Sequence, residues 1–296
     1  LGKGKAPGYA PAHAQPQGDV KGLRFALTLG NGNYKYYGKM PMCRKDASEM
    51  KKALQGFSFK VNMVEDAEKI QFEQAFDTWL DEISSETQQS PCTALFHASC
   101  HGLEVDDENF LVPVEASTID MRKCAHSEEK KCKACSKTEV QTQCTSLQGL
   151  FDKMTSRLPG GSLIILFLDC CRDDPTKSIN LNAHLDSKFA KLKLAEGLAT
   201  TAFIGYATEP GKTASTRAPG TGHYSPFTYA ILDCLKQPAI ASADIESFYR
   251  SVKALVIEVT KGGMNPERDS QLTRGFRFLQ ATPQPHSGAA AQGGSA

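Results

Sequence analysis

Apolar segments of six to nine residues alternate with amphipathic helical segments along most of the chain, and this alternation constrains the fold most strongly. The predicted strands are 23–30, 59–65, 92–98, 162–168, 199–207 and 275–280. The predicted helices are 45–56, 67–86, 146–157, 225–236 and 243–260. Strands separated by helices favour a mostly parallel sheet. We therefore predict an α/β protein with three layers, in which helices cover both faces of a mostly parallel central sheet.

The charge and hydropathy of the chain exclude two classes of partner. The sequence has 34 Lys and Arg against 33 Asp and Glu, so it has no net field that would attract nucleic acid or an anionic membrane. No apolar run approaches the roughly 20 residues that a membrane-spanning helix needs. The chain has ten cysteines, but with 40% hydrophobic residues it can fill a core without disulfides. We therefore expect free thiols and a cytoplasmic, reducing location.

Unusual polar residues follow two of the predicted strands. Strand 92–98 runs into "SCHG" and strand 162–168 runs into "DCCRD". Functional groups of open α/β sheets lie beyond the carboxyl ends of the strands, so two parallel neighbours would bring His101 and a cysteine to one edge. A thiolate is a nucleophile, and an adjacent imidazole can accept its proton and later protonate a leaving amine. Gly102 leaves the backbone beside His101 uncrowded.

The alternative interpretation of these residues is structural. Cys170 and Cys171 would then be small buried hydrophobic residues, and His101 would be a surface loop residue. For a lone cysteine or histidine that interpretation is the better one. The pairing of a histidine and a cysteine at the ends of two predicted parallel strands favours catalysis.

Two motifs resemble a known family. "FHASCHG" around His101 and "LFLDCCRD" around Cys171, 70 residues later, resemble the His-Gly and Asp-x-Cys-Arg signatures of caspase-like cysteine peptidases, nearest to the paracaspase and metacaspase branches. The resemblance covers most of residues 22–280 and includes "ALTLGNGNY", "NFLVPVEA", "GYATEPGKTA", "HYSPFTYAIL" and "SQLTRGFRFL". The nucleophile of this pattern follows an aspartate by two residues, which selects Cys171 over Cys170.

The resemblance implies the domain organisation. Gly-, Pro- and Ala-rich composition predicts flexible segments at 1–20 and 282–296. Residues 21–281 would form the caspase-like peptidase domain. Its parts would be a large-subunit-like region (21–190), a small-subunit-like region (195–281) and a Cys-rich insertion (121–146).

The resemblance also implies a catalytic mechanism. Cys171 would attack the carbonyl carbon and form an acyl-enzyme, which water then releases. His101 would act as general base and then as general acid. The backbone N–H groups of Gly102 and Cys171 would form the oxyanion hole. The expected function is therefore that of a cysteine endopeptidase acting on proteins or peptides.

Paracaspases and metacaspases cut after Arg or Lys by means of acidic pocket residues, and the resemblance implies such a pocket here. "MPMCRKDASEM" points to Asp46, the residue beside the nucleophile motif is Asp169, and "YATEPG" contributes Glu209. Converging carboxylates would favour a guanidinium or ammonium side chain. The structural alternatives are a helix N-cap for Asp46 and a hydrogen bond to the strand-end backbone for Asp169.

The sequence leaves two possible metal sites undecided. Cys124, Cys132, Cys135 and Cys144 include one C-x-x-C pair, which suits a zinc knuckle or a flexible lysine-rich loop with incidental thiols. Many metacaspases need calcium, and Asp173 and Asp174 are candidate ligands. We expect no required cofactor, with calcium dependence undecided.

Four further hypotheses concern regulation and assembly. Cys100 stands where relatives have glycine, so a Cys100–Cys170 or Cys100–Cys171 disulfide could switch the site off. The basic stretch 185–197 is a candidate for self-cleavage. The closing strand 275–280 offers an edge for a homodimer. Instead of a peptidase, the chain could be an inactive caspase-like interaction or scaffold module, or a redox-regulated sensor.

Overall fold

The computed structural model describes residues 19–105, 108–117, 133–171, 192, 201–209 and 220–280. Within these ranges it describes only the backbone of residues 104, 105, 133–137 and 171. The predicted flexible segment 1–20 lies almost wholly outside the described residues, as does the tail 282–296. The same holds for Asp173, Asp174 and, apart from Leu192, the stretch 185–197.

The described residues form eight strands and seven helices. The strands are β1 (Arg24–Gly30), β2 (Phe59–Glu65), β3 (Thr93–Val105), β4 (Glu108–Leu111), β5 (Thr145–Ser146), β6 (Leu163–Cys171), β7 (Thr201–Tyr206) and β8 (Glu267–Gln271). The helices are α1 (Met42–Gly56), α2 (Lys69–Thr87), α3 (Lys133–Gln143), α4 (Leu147–Arg157), α5 (Pro226–Lys236), α6 (Pro238–Ala241) and α7 (Ile245–Val259). None of these helices is long and apolar enough to cross a membrane.

The strands form one mostly parallel sheet in the order β2-β1-β3-β6-β7-β8. Neighbours from β2 to β7 are parallel, and β8 runs antiparallel to β7. The second half of β3 leaves this sheet and pairs antiparallel with β4, which in turn pairs with β5. The sheet is therefore mostly parallel, as predicted, with an antiparallel strand at one edge and a short antiparallel extension beside its centre.

Two hydrophobic cores lie on opposite faces of the sheet. Alternate strand residues such as Leu95 and Phe167 pack with α1, α5 and α7 on one face. The intervening residues, such as Phe96 and Leu168, pack with α2 and α4 on the other. Because both faces are buried, the central strands are apolar at nearly every position. The predicted three-layer α/β architecture is confirmed.

The two strands that carry the candidate site are longer than their apolar runs. The prediction ended them at residues 98 and 168, whereas β3 continues to Val105 and β6 to Cys171. Ladder pairing continues through three polar or thiol pairs beyond the apolar part. Backbone hydrogen bonds do not depend on side-chain polarity, so hydropathy alone underestimates the length of both strands.

The predicted closing strand at 275–280 is wrong. The last strand is β8, whose sequence "ERDSQ" is polar because it lies at the exposed edge of the sheet. Residues 275–280 instead run irregularly across the helical layer, with Phe276 and Phe278 buried. The Phe276 carbonyl accepts from the Ile245 N–H, and the Leu279 N–H donates to Ala241. This segment is therefore not an open edge for a homodimer.

Candidate active site

The pairing of β3 with β6 brings the two sequence motifs together. The strands are parallel neighbours, and the register places His101 opposite Cys171. Cys100 pairs with Cys170, and Ser99 pairs with Asp169. The sequence predicted one shared edge, and the structure adds that the histidine and the second cysteine occupy paired positions across it.

The pleat of the strands separates the two cysteines of "DCC". Cys170 packs against the core of α2 and α4, to which Cys100 also belongs. Asp169 instead contacts Ser225 and Thr228 at the start of α5, on the opposite face. Strand positions two apart lie on the same face, so position 171 shares the face of Asp169. The backbone thus distinguishes Cys171 from Cys170 independently of any motif.

A tyrosine-rich loop orients His101. The Tyr34 hydroxyl accepts a hydrogen bond from the His101 N–H at 2.8 Å, and the two rings lie 4.6 Å apart between centroids. The Tyr37 ring lies 5.7 Å away. His101 Nε2 lies 2.9 Å from the carbonyl oxygen of Gly38. A carbonyl only accepts, so Nε2 carries the hydrogen, and the lone pair of a neutral ring is on Nδ1.

A buried pair of carboxyl groups lies on the same face. Asp46 of α1 is fully buried and Asp169 of β6 is 6% exposed. Ser225 bridges them, since its N–H donates to Asp46 Oδ1 at 3.2 Å and its hydroxyl donates to Asp169 Oδ2. Ser99 donates a further bond to Asp46 Oδ2 at 2.9 Å. One helix, two strands and the start of α5 therefore converge on two acids.

A fully buried histidine extends this network. Thr228 donates to Asp169 Oδ2 through its N–H at 3.1 Å and its hydroxyl at 2.6 Å. His97 Nε2 lies 3.1 Å from the same hydroxyl oxygen. The hydroxyl gives its hydrogen to Asp169, so Nε2 is the protonated nitrogen of His97. Burial lowers the pKa of His97 to about 3, which keeps the ring neutral.

The two carboxyl groups do not ionise normally. Burial, followed by the charge of Asp169, raises the pKa of Asp46 from 3.8 to about 8. Burial also raises the pKa of Asp169, against the hydrogen bonds from Ser225 and Thr228. Three donors converge on a single oxygen of Asp169, at the N-terminus of α5, where a negative charge is favoured. We therefore assign the retained proton to Asp46.

The structural alternatives for these acids do not hold as stated. Helix α1 begins at Met42 with Pro41 as its N-cap, so Asp46 lies inside the helix and is not a cap. Asp169 does accept structural hydrogen bonds, but they come from the start of α5 and not from the strand-end backbone.

Two other candidate residues lie near the same strand ends. Glu209 follows β7 and accepts a hydrogen bond from Asn265. Gly102 is buried and pairs with Leu111 where β3 enters its antiparallel extension. Gly102 directly follows His101, the position paired with Cys171.

The predicted metal sites gain no support from the described residues. Among these residues no three His, Cys, Asp or Glu side chains form a metal-binding group. Cys124 and Cys132 lie outside the described residues, and for Cys135 only the backbone in α3 is described. Burial raises the pKa of Cys144 to about 12, which favours the thiol over the thiolate that zinc binds.

The residues that support the predicted site residues carry little signal in the sequence. Ser225 and Pro226 form a recognisable helix start, because serine is a good N-cap and proline is favoured at the first helical position. That signal predicts α5 but not the acids its first turn contacts. Nothing in the sequence indicates that Tyr34 and Gly38 hold His101, because these contacts join separate segments.

Comparisons with known proteins bear on the family and the fold of this chain. A family model for the caspase domain matches residues 23–277. No curated protein matches the chain at a significant level. Caspase-1 from Spodoptera frugiperda has a similar structure, with a TM-score of 0.61 at 15% identity, over 93% of this chain and 98% of that one. The structural likeness shows the fold, and the family match shows that the chain belongs to the caspase family, which supports the activity of a cysteine peptidase on protein substrates.

Proposed function

We propose that the protein is a cysteine endopeptidase of the paracaspase or metacaspase type that cleaves after Arg or Lys. The observation that carries the proposal is the register of β3 and β6, which pairs position 171 with His101 beside the buried acids Asp46 and Asp169. None of the cysteines whose side chains the structure describes forms a disulfide, which suits a reducing, intracellular location; they are Cys43, Cys92, Cys100, Cys144, Cys170 and Cys234.

The proposed chemistry uses a thiol and an imidazole. His101 Nδ1 accepts the proton of the Cys171 thiol, and the thiolate attacks the carbonyl carbon of the scissile bond. The N–H groups of Gly102 and Cys171 stabilise the oxyanion that develops. His101 then protonates the leaving amine, and an acyl-enzyme remains. Water, deprotonated by His101, releases the acid and restores the thiol. The Gly38 carbonyl stabilises the imidazolium through its bond from Nε2.

The acid pair supports the proposed preference for basic residues. Two adjacent buried carboxyls lack a countercharge from their described hydrogen-bond partners, which are hydroxyl and backbone N–H groups. A guanidinium or ammonium would supply that charge and allow Asp46 to release its proton. Charge-assisted bonds in a dry site favour the cation over a neutral side chain of equal size. An aspartate at the same position would add a third negative charge.

The first test separates the two adjacent cysteines. We expect fluorogenic peptides ending in Arg or Lys to be cleaved by the wild type and by Cys170→Ala, measured with and without calcium. Cys171→Ala and His101→Ala should lose activity by about 10³-fold or more, because the nucleophile and its base act as a unit. Cleavage by Cys171→Ala would contradict the assignment. No cleavage by any reduced form would favour the inactive module.

The second test concerns specificity. In Asp46→Asn we expect kcat/KM for a peptide ending in Arg to fall about 10- to 150-fold, the value of one charge-assisted hydrogen bond. The corresponding citrulline peptide, which is neutral, should be little affected. Asp152→Asn, an exposed change on α4, is the matched control. Equal losses for Arg and citrulline would show that Asp46 does not select for charge.

The third test concerns the retained proton. The pKa of Asp46 is about 8 in the fold against 3.8 unfolded, so between these values the folded state binds one more proton. Stability from this group is therefore present at low pH and falls as pH rises, by up to about 1.4 kcal/mol per pH unit. We expect urea unfolding at several pH values from 5 to 8 to show that the free energy of unfolding of Asp46→Asn rises relative to that of the wild type as pH increases. Parallel pH profiles would contradict the raised pKa.

A further inference from the structure

Two thiols lie against each other behind the candidate active site. Cys100 Sγ and Cys170 Sγ are 3.5 Å apart, on paired positions of β3 and β6. Neither is part of a disulfide; Cys100 is fully buried and Cys170 is partly exposed. The proposed mechanism uses neither residue. By contrast, the buried Cys92 has a serine hydroxyl, Ser162 Oγ, at 3.6 Å.

The backbone permits a disulfide at this pair. Neighbouring strands lie about 4.7–4.9 Å apart, which is within the Cα separation of about 4.4–6.8 Å that disulfides span. The sulfurs must approach from 3.5 Å to about 2.05 Å, a movement of about 1.5 Å. Rotation about the two Cα–Cβ bonds and a small shift of the strands would supply this movement.

We propose that Cys100 and Cys170 form a reversible oxidation site, for which hydrogen peroxide is the oxidant. The partly exposed Cys170 thiol gives up its proton and its sulfur attacks one peroxide oxygen; the O–O bond breaks, and the leaving hydroxide takes the proton, giving a sulfenic acid and one water. The Cys100 sulfur then attacks the Cys170 sulfur, forming the S–S bond and releasing the second water. Overall, two thiols and one peroxide give a disulfide and two waters. A dithiol reductant restores both thiols by exchange.

The position of the pair connects it to activity. The next residues in the two strands are His101 and Cys171, which are also paired. Drawing residues 100 and 170 together therefore displaces the backbone that carries both catalytic residues. A displacement near 1 Å at a reacting centre can cost about 100-fold in rate. We expect the disulfide form to lose at least about 10-fold in kcat/KM, an expectation that rests on the proposed function.

The chemical test uses Cys171→Ala, because Cys170 and Cys171 fall on one tryptic peptide. The variant is treated with one equivalent of peroxide, alkylated, digested with trypsin and chymotrypsin without reduction, and mapped by mass spectrometry. We expect a Cys100–Cys170 crosslink that dithiothreitol removes. It should persist when Cys92→Ala is added and disappear when Cys100→Ala is added. Absence of the crosslink, or one between other cysteines, would overturn the proposal.

The activity test protects the nucleophile during oxidation. Wild type and Cys100→Ala are oxidised with a reversible peptide argininal bound, dialysed, and assayed before and after dithiothreitol. The kcat/KM of the wild type should fall at least about 10-fold after oxidation and recover with dithiothreitol. Cys100→Ala should keep its activity throughout. A crosslinked wild type with full activity would refute the switch. If the reduced protein cleaves nothing, the proposed function fails, and the crosslink test still decides the oxidation site.

Discussion

The candidate site depends on the pairing of β3 with β6 beyond the apolar part of both strands. Three further residue pairs stay in register there, and they are Ser99 with Asp169, Cys100 with Cys170, and His101 with Cys171. Alternation along the pleat then assigns these pairs to different faces. Asp169 contacts the first turn of α5, and by strand alternation position 171 shares its face, whereas Cys100 and Cys170 pack on the side of α2 and α4. The same stretch of strand pairing thus puts the proposed catalytic positions and the thiol pair on opposite faces of the sheet.

The buried acids extend the same geometry into the helical layer. Asp169 binds the first turn of α5, and Ser225 connects it to Asp46 of α1. Burying two carboxyls side by side is unfavourable unless protons or a cation compensate, and here hydrogen bonds and the retained proton on Asp46 stabilise them. The network connects the helices α1 and α5 to the sheet, and under the proposed function a basic substrate residue would supply the missing countercharge.

The sequence predicted the parts of the fold that rest on hydrophobic alternation and missed those that rest on long-range contacts. The central strands and most helices were found because both faces of the sheet are buried. The ends of β3 and β6 and the polar edge strand β8 were not, since their pairing is backbone pairing without an apolar pattern. His101, Asp46 and Asp169 were predicted as site residues from sequence motifs. Tyr34, His97 and Thr228 had no such signal, because their roles exist only once distant segments meet.

The central claim is that register and face select Cys171, in a pocket that recognises a basic side chain. It is tested most directly by labelling the reduced protein with a peptide chloromethyl ketone ending in Arg and mapping the alkylated residue by mass spectrometry. We predict a single adduct on Cys171, which excess peptide argininal prevents and which a chloromethyl ketone ending in Asp does not form. Alkylation of Cys170 or Cys100, or equal labelling by the Asp reagent, would contradict the claim.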